Sequence, residues 1–379
     1  MTPLKLGMVG GGQGAFIGAV HRIAARLDGQ WQLVAGALSA DPQRAAASAQ
    51  ELGIAPDRSY ADFHQMAQAE AVREDGIDAV SIVTPNHMHA DPAIAFLRAG
   101  IHVICDKPLA ASTEDAVRIK TAAEASSAHF ILTHNYTGYP MVRQARDMVL
   151  ADDLGKLRLV QVEYAQDWLT EPAGADNKQA DWRTDPARSG AGAIGDIGTH
   201  AFNLAHFVTG EVPSHLAADL SNMVAGRQVD DNAHVLLRYA SGARGMLWAS
   251  QVAVGNENGL RFRVYGERGG LEWSQEHPNH LQFTRFGQPT QIVTRGSGTV
   301  TARAALRATR IPPGHPEGYL EGFATLYAEA AALIRNDENT GHLLPGLSDG
   351  LLGMAFISSA ITSAKDDGRW IRVSSVAKS

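Results

Sequence analysis

Cysteine is almost absent from this chain of 379 residues, where Cys105 stands alone. A single thiol excludes an internal disulfide and any cysteine-built metal cage. Long apolar runs are missing as well: no stretch approaches the roughly 18 uninterrupted apolar residues of a membrane span. The opening residues, Met1-Thr2-Pro3-Leu4-Lys5, lead straight into a strand-like run. They form neither a basic-then-apolar leader nor a twin-arginine signal, so a cytoplasmic protein with no membrane partner is expected. Runs of Lys and Arg are lacking, and the net charge of −7 argues against a nucleic-acid partner. The 15 histidines show no H-E-x-x-H type of helical spacing, so no metal is expected.

What is present is ordinary globular composition, with 45% hydrophobic and 19% charged residues, which excludes a disordered or coiled-coil chain. The length suggests two domains. In the first third, apolar runs at 4–10, 31–38, 78–83, 101–105 and 130–133 alternate with helical spacing. That rhythm predicts a doubly wound, parallel Rossmann sheet over residues 1–133. From residue 134 the pattern changes. A polar, loop-like stretch covers 170–195, strand-like segments at hairpin spacing fill 214–286, and helical patterns return near 316–334 and 347–363. This predicts an α+β domain over 134–379 with a large, open, mostly antiparallel sheet, its last segment free to pack back on the first domain. A cleft between the domains is the expected ligand site.

Gly10-Gly11-Gly12-Gln13-Gly14-Ala15-Phe16-Ile17-Gly18 follows the first strand and opens the first helix. Glycines here permit a tight turn and close backbone approach to a pyrophosphate, whose charge the helix N-terminus favours. Gly10 and Gly12 supply the first two glycines of a dinucleotide fingerprint, and Gly18 comes three residues later than the usual third. An acid on the adenosine ribose belongs about 20 residues further on. Ser39 holds that place here, and Asp41-Pro42 reads better as a helix cap and first helical residue. No arginine directly follows Ser39, so NAD is the expected cofactor, with NADP left open.

Three further segments carry chemistry. Thr84-Pro85-Asn86-His87-Met88-His89 follows the third strand, Cys105-Asp106-Lys107-Pro108-Leu109 the fourth, and Gly195-Asp196-Ile197-Gly198-Thr199-His200 opens a later helix. Lys107 therefore stands at the C-terminal end of a parallel strand, where open α/β sheets bind ligands. Asp196 and His200, four apart, share a helix face, so the carboxylate orients the imidazole or both grip adjacent hydroxyls of a polyol. Histidine suits a base near neutral pH, and a lysine ammonium stabilises negative charge growing on a reacting oxygen. Each also has an ordinary structural account: a cap, an interior histidine, a solvated strand end.

In this order, and with the glycine turn, the segments resemble the Gfo/Idh/MocA family of sugar and cyclitol oxidoreductases over almost the whole chain, closest to its scyllo- and myo-inositol dehydrogenases. The family's Glu-Lys-Pro is Asp106-Lys107-Pro108 here, and its Asp, His, Asp helix pattern becomes Asp196, His200 and Asn203. Trp182-Arg183 and the turn at 190–195 also match. The resemblance implies Lys107, Asp196 and His200 as catalytic residues and a homo-oligomer, dimer or tetramer, built on the second-domain sheet. Cofactor contacts are expected from Gly10, Gly12, Gln13, Phe16, Ile17, Ser39, Thr84, Asn86, His87, Asp106 and Lys107. Substrate contacts are expected from Lys107, Asn135, Tyr136, Arg183, Asp196, His200 and His315. Asn86 and His87 fit a proline-initiated turn equally well, and Arg183 fits a pair with Asp185. An arginine frequent in the family beside Asn135 is replaced by Thr137-Gly138-Tyr139-Pro140. The implied reaction is NAD-dependent oxidation of a ring hydroxyl of an inositol or pyranose. A dinucleotide-sensing regulator, an NAD-dependent glycosidase and a keto-sugar reductase stand as alternatives; retention of Lys107 and His200 speaks against the regulator.

Overall fold

The alternating rhythm of the first third folds into five parallel strands: β1 (Leu4–Gly10), β2 (Trp31–Ala37), β3 (Ala79–Val83), β4 (His102–Cys105) and β5 (Phe130–Leu132). Their order is β2-β1-β3-β4-β5, so the winding direction reverses between β1 and β3. The computed structural model describes residues 2–172, 178–337 and 343–374. β3 is buried along its full length, and Val103, Ile104 and Cys105 in β4 are likewise closed to solvent, as strands covered on both faces must be. The intervening helices begin where capping chemistry permits. Asp41 accepts from Arg44 N, Asp62 from His64 N and Gln65 N, and Ser112 from Asp115 N.

The chain divides into two compact units, Met1–Asn135 with Tyr319–Gly350, and Tyr136–Gly318 with Leu351–Ser379. The boundary expected at 133/134 left a late segment free to pack back on the first domain, and Tyr319–Gly350 is the segment that does so. The reason is apolar. Phe323, Tyr327, Ala330 and Ala331 of the helix Tyr319–Ile334 share one core with Leu6, Val20, Ala24 and Trp31. Trp31 Nε1 donates to Tyr327 O at 2.8 Å, and Leu132 N to Pro345 O at 2.9 Å.

The second unit holds a nine-stranded sheet made of β6 (Leu157–Ala165), β7 (Pro213–Ser221), β8 (Asn232–Tyr239), β9 (Arg244–Ser250), β10 (Gly259–Gly266), β11 (Gly269–Ser274), β12 (His280–Arg285), β13 (Gln291–Thr294) and β14 (Ile371–Arg372). Its order is β13-β12-β11-β10-β6-β9-β8-β7-β14, antiparallel except where β6 runs parallel to β9. Val160, Val235, Leu247 and Val264 point to the covered face, while their neighbours Leu159, Leu236, Met246 and Tyr265 are exposed on the other. The stretch at 170–195, expected as loop, carries short helices at Lys178–Arg183 and Pro186–Ser189. One helix among the described residues, Leu347–Lys365, is long and apolar enough to cross a membrane. It serves as a core helix instead: Met354, Ala355, Phe356 and Ala360 are buried, and Phe356 stacks on Phe202 with ring centres 4.2 Å apart.

Candidate functional site

The C-terminal edge of the parallel sheet gathers the first set of expected residues. At the end of β1, Gly10 (φ +77°) and Gly14 (φ +79°) turn the chain through a conformation that side chains disfavour, and a Cβ on Gly18 would lie 2.4 Å from Gly11 Cα. The helix Phe16–Leu27 that follows has no side-chain cap, unlike the three capped helices above, and no acidic residue in its first turn. Its first-turn N–H groups, which lack a helical partner, and the exposed Phe16 suit a pyrophosphate and its flanking ring. Gln13 lies beside the turn, its N–H on Ser48 Oγ (3.0 Å) and its amide on Glu51 (3.1 Å). Ser39 accepts from Asp41 N at 3.1 Å, and Asp41 caps its helix through Oδ1.

After β3, Thr84 Oγ1 donates to Met88 O (3.1 Å), Asn86 is buried and His87 is exposed. The side chain that sequence reasoning passed over is His89. Fully buried, its Nδ1 meets Pro108 O at 2.8 Å and its Nε2 meets Thr84 O at 2.9 Å, tying the β3 loop to the Asp106-Lys107-Pro108 loop. Burial lowers its pKa. Asp106 accepts from Lys107 N (3.0 Å) and Thr133 Oγ1 (2.9 Å), and His21 Nε2 lies 3.8 Å away. Burial alone would raise the Asp106 carboxyl, but His21, with Lys107 and His89 adding their charge, holds it well below the usual carboxylate range. His21 is fixed from beneath by Tyr327 (2.9 Å) and Ser81 (3.2 Å). Next to Asn135, which is itself buried, His134 is brought down to about 3 by burial and then by the charge of Lys107. Lys107 thus sits between the ionised Asp106 carboxylate and the neutral imidazole of His134.

The second unit supplies the other set. A π-turn over Ile194–Gly198 carries Asp196 and runs into the helix Thr199–Thr209, which carries His200. The Asp230 carboxylate fixes the start of this turn, accepting from Gly192 N (2.9 Å) and Ile194 N (2.7 Å); burial pushes it up to about 6 despite those bonds. Asp196 Oδ2 accepts from Arg183 Nε (3.2 Å) and Gln251 Nε2 (3.0 Å). The alternative pairing of Arg183 with Asp185 gives way, because Asp185 caps the helix Pro186–Ser189. The His200 ring lies edge-on to Tyr136 (4.9 Å) and tilted to Tyr164 (6.0 Å). The Tyr136 and Tyr164 hydroxyls meet at 2.6 Å, and Tyr164 donates to Asn258 Oδ1 at 2.7 Å. Burial pushes the Tyr164 hydroxyl up, so it stays a donor. Gln251 and Tyr164 gave no sequence signal of their own, whereas Asn258 lies in the polar loop Gly255-Asn256-Glu257-Asn258-Gly259, whose composition suits sugar contacts. His315 is exposed, and its loop is held through the main chain, where its carbonyl accepts from Arg295. Among the described residues no group of His, Cys, Asp or Glu is placed to hold a metal ion.

The first unit can bind a dinucleotide at its sheet edge, beside the Lys107 ammonium, and the second presents an imidazole and a carboxylate that can work on a hydroxyl. Comparison with known proteins agrees. Residues 4–136 match the oxidoreductase family with an NAD-binding Rossmann fold, and residues 142–272 match the GFO/IDH/MocA C-terminal domain. An oxidoreductase structure from Sinorhizobium meliloti is 54% identical, covering 98% of this chain and 100% of its own at a TM-score of 0.90. An inositol dehydrogenase homologue from Azotobacter vinelandii, solved with NADH and myo-inositol, is 36% identical over 98% of both chains with a TM-score of 0.91. Levoglucosan dehydrogenase of Pseudarthrobacter phenanthrenivorans is 27% identical over 98% of this chain and 99% of its own. The first unit is an NAD-binding Rossmann domain, and the protein is an oxidoreductase.

Proposed function

We propose, for a chain that belongs to the Gfo/Idh/MocA family of oxidoreductases, that it oxidises a secondary ring hydroxyl of a cyclitol or pyranose. The substrate is an inositol going to its keto form, or a glucose-type sugar going to the 1,5-lactone. The observation that carries this reading is the Asp196–His200 helix face, walled by Tyr136 and Tyr164 and held through Gln251. The inositol dehydrogenase homologue and the levoglucosan dehydrogenase, both similar over nearly the full chain, support the substrate class.

NAD, when bound, supplies the hydride acceptor. The glycine turn from Gly10, with Gly12, Gln13, Phe16 and Ile17, would hold its pyrophosphate, and Ser39 would meet the adenosine ribose. Thr84, Asn86, His87 and Asp106 would meet the nicotinamide end. His200 takes the hydroxyl proton at a ring nitrogen, and the Asp196 carboxylate stabilises the imidazolium that forms. The Lys107 ammonium donates to the reacting oxygen and offsets its negative charge. Asn135, Tyr136, Arg183 and His315 are assigned to the remaining hydroxyls. The enzyme works as a cytoplasmic homo-oligomer, joined through the face of the large sheet that exposes Leu159, Leu236, Met246 and Tyr265.

The test is an initial-rate screen of myo-inositol, scyllo-inositol, glucose and levoglucosan, with NAD and NADP in parallel, read at the NADH band. Turnover is expected with NAD. Lys107→Ala and His200→Ala should each reduce it by at least about 100-fold while the fold survives. Near-normal rates in both variants would remove the assignment.

A further inference from the structure

The Asp196 carboxylate is not placed by its own helix alone. Two donors, Arg183 and Gln251, meet the same oxygen, Oδ2, and they differ in kind. Arg183 is charged and partly exposed, and its guanidinium also lies over the Trp182 ring at 4.2 Å. Gln251 is neutral and only 3% exposed. It follows directly on β9, with its main chain pinned on both sides: its N–H donates to Asp231 O at 2.9 Å and its carbonyl accepts from Leu169 N at 3.1 Å. Asp231 is the neighbour of Asp230, whose carboxylate fixes the start of the π-turn. The turn that carries Asp196 and the amide that grips it are therefore both referenced to the ends of β8 and β9.

We propose that Gln251 is a positioning residue for the reaction: its buried amide sets the direction of the Asp196 carboxylate and so the support that Asp196 gives to His200. This rests on the catalytic reading of Asp196 and His200 given above. A neutral donor suits the task. It holds the oxygen in place without adding a second cation beside Arg183, so the carboxylate keeps its charge for the imidazolium that forms when His200 takes a proton. The amide itself touches neither substrate nor cofactor in this account.

The experiment measures kcat, KM and the pH dependence of kcat/KM with NAD and whichever of the four screen substrates turns over fastest. Gln251→Leu, of similar volume, is expected to lower kcat about tenfold and leave the KM for NAD unchanged. Gln251→Glu places a second carboxylate at hydrogen-bond distance from the first, and two such groups share one proton. The acid limb of its profile is expected to move up by on the order of one pH unit. In an Asp196→Asn background, Gln251→Leu should cost nothing further, because the effect passes through the carboxylate. Wild-type kcat in Gln251→Leu together with an unmoved profile in Gln251→Glu would overturn the proposal. So would an undiminished effect of Gln251→Leu in the Asp196→Asn background. If Gln251→Leu does not melt cooperatively, the Gln251→Glu profile decides alone. Full activity in Asp196→Asn, or no turnover of any of the four substrates, overturns the site reading itself and this proposal with it.

Discussion

His134 is a neutral imidazole shut in beside an ammonium, and that carries a cost in acid. Its pKa lies near 3 in the native protein, through burial and then the charge of Lys107. In the unfolded chain it returns to about 6.5. Between those values the unfolded chain binds a proton that the native chain does not, so stability falls as pH drops from about 6.5 toward 3. The depressed Asp106 carboxyl adds a loss of the same sign only below its unfolded value of about 3.9. Between pH 6.5 and 4 the other lowered imidazoles, His89 and His102, add to this loss and the raised Asp230 carboxyl opposes it. His134 is therefore read from the difference between wild type and variant in a series of Tm against pH. His134→Gln is expected to flatten that slope, whatever its Tm at neutral pH; parallel slopes would show that the imidazole is not the group responsible. At this scale the sequence shows the chemical types and hides their supports. Lys107, Asp196 and His200 are legible because each stands in a short motif at a strand or helix end. The Gln251–Asp196 bond joins residues 55 positions apart and the His21–Tyr327 bond joins residues 306 apart, and no local spacing encodes either.

Among the elements, the π-turn is the most constrained. A Cβ added to Gly192 would lie 1.8 Å from the carbonyl oxygen of Asp230, a backbone atom with no rotamer to yield. Gly192→Ala is expected to destabilise the protein by about 1–3 kcal/mol, as overpacked sites do. The loss should appear as a lowered midpoint in urea with an unchanged m-value. A smaller rate should accompany it, since Asp196 rides on the displaced turn. Element periodicity was readable where burial is two-sided or caps are plain, as in β3 and the helix Pro42–Glu51 behind Asp41. The helix Phe63–Val72 escaped because its inward face is short and partly polar: Met66 and Ala67 are buried beside Glu70, whose Oε1 accepts from Arg58 Nε at 3.0 Å. A charged residue at an inward position breaks the apolar stripe on which such readings depend. The short helices at Lys178–Arg183 and Pro186–Ser189 escaped for a related reason, being too short to show a period.

Across the whole molecule, the exposed face of the large sheet is the feature a solution experiment reaches first. Leu159, Leu236, Met246 and Tyr265 lie on neighbouring strands of that face, with Met246 paired to Leu236. Light scattering on the purified protein is expected to give a multiple of 40.4 kDa. Leu236→Lys combined with Met246→Lys should raise the dissociation constant of the assembly at least about tenfold. A wild-type protein that remains a single chain at micromolar concentration would rule this interface out. Fold class was legible at this scale, because the change of rhythm near residue 134 is large. That a late segment could return to the first unit was left open, but not which one, because the helical pattern of Tyr319–Ile334 says that a face is apolar without saying which core receives it. That return bears on how the protein is made. Ribosomes release the Rossmann strands first, but the helix that completes their core emerges only after the whole of Tyr136–Gly318. The nascent first unit must therefore wait, with Leu6, Val20 and Trp31 uncovered, until most of the second has been translated.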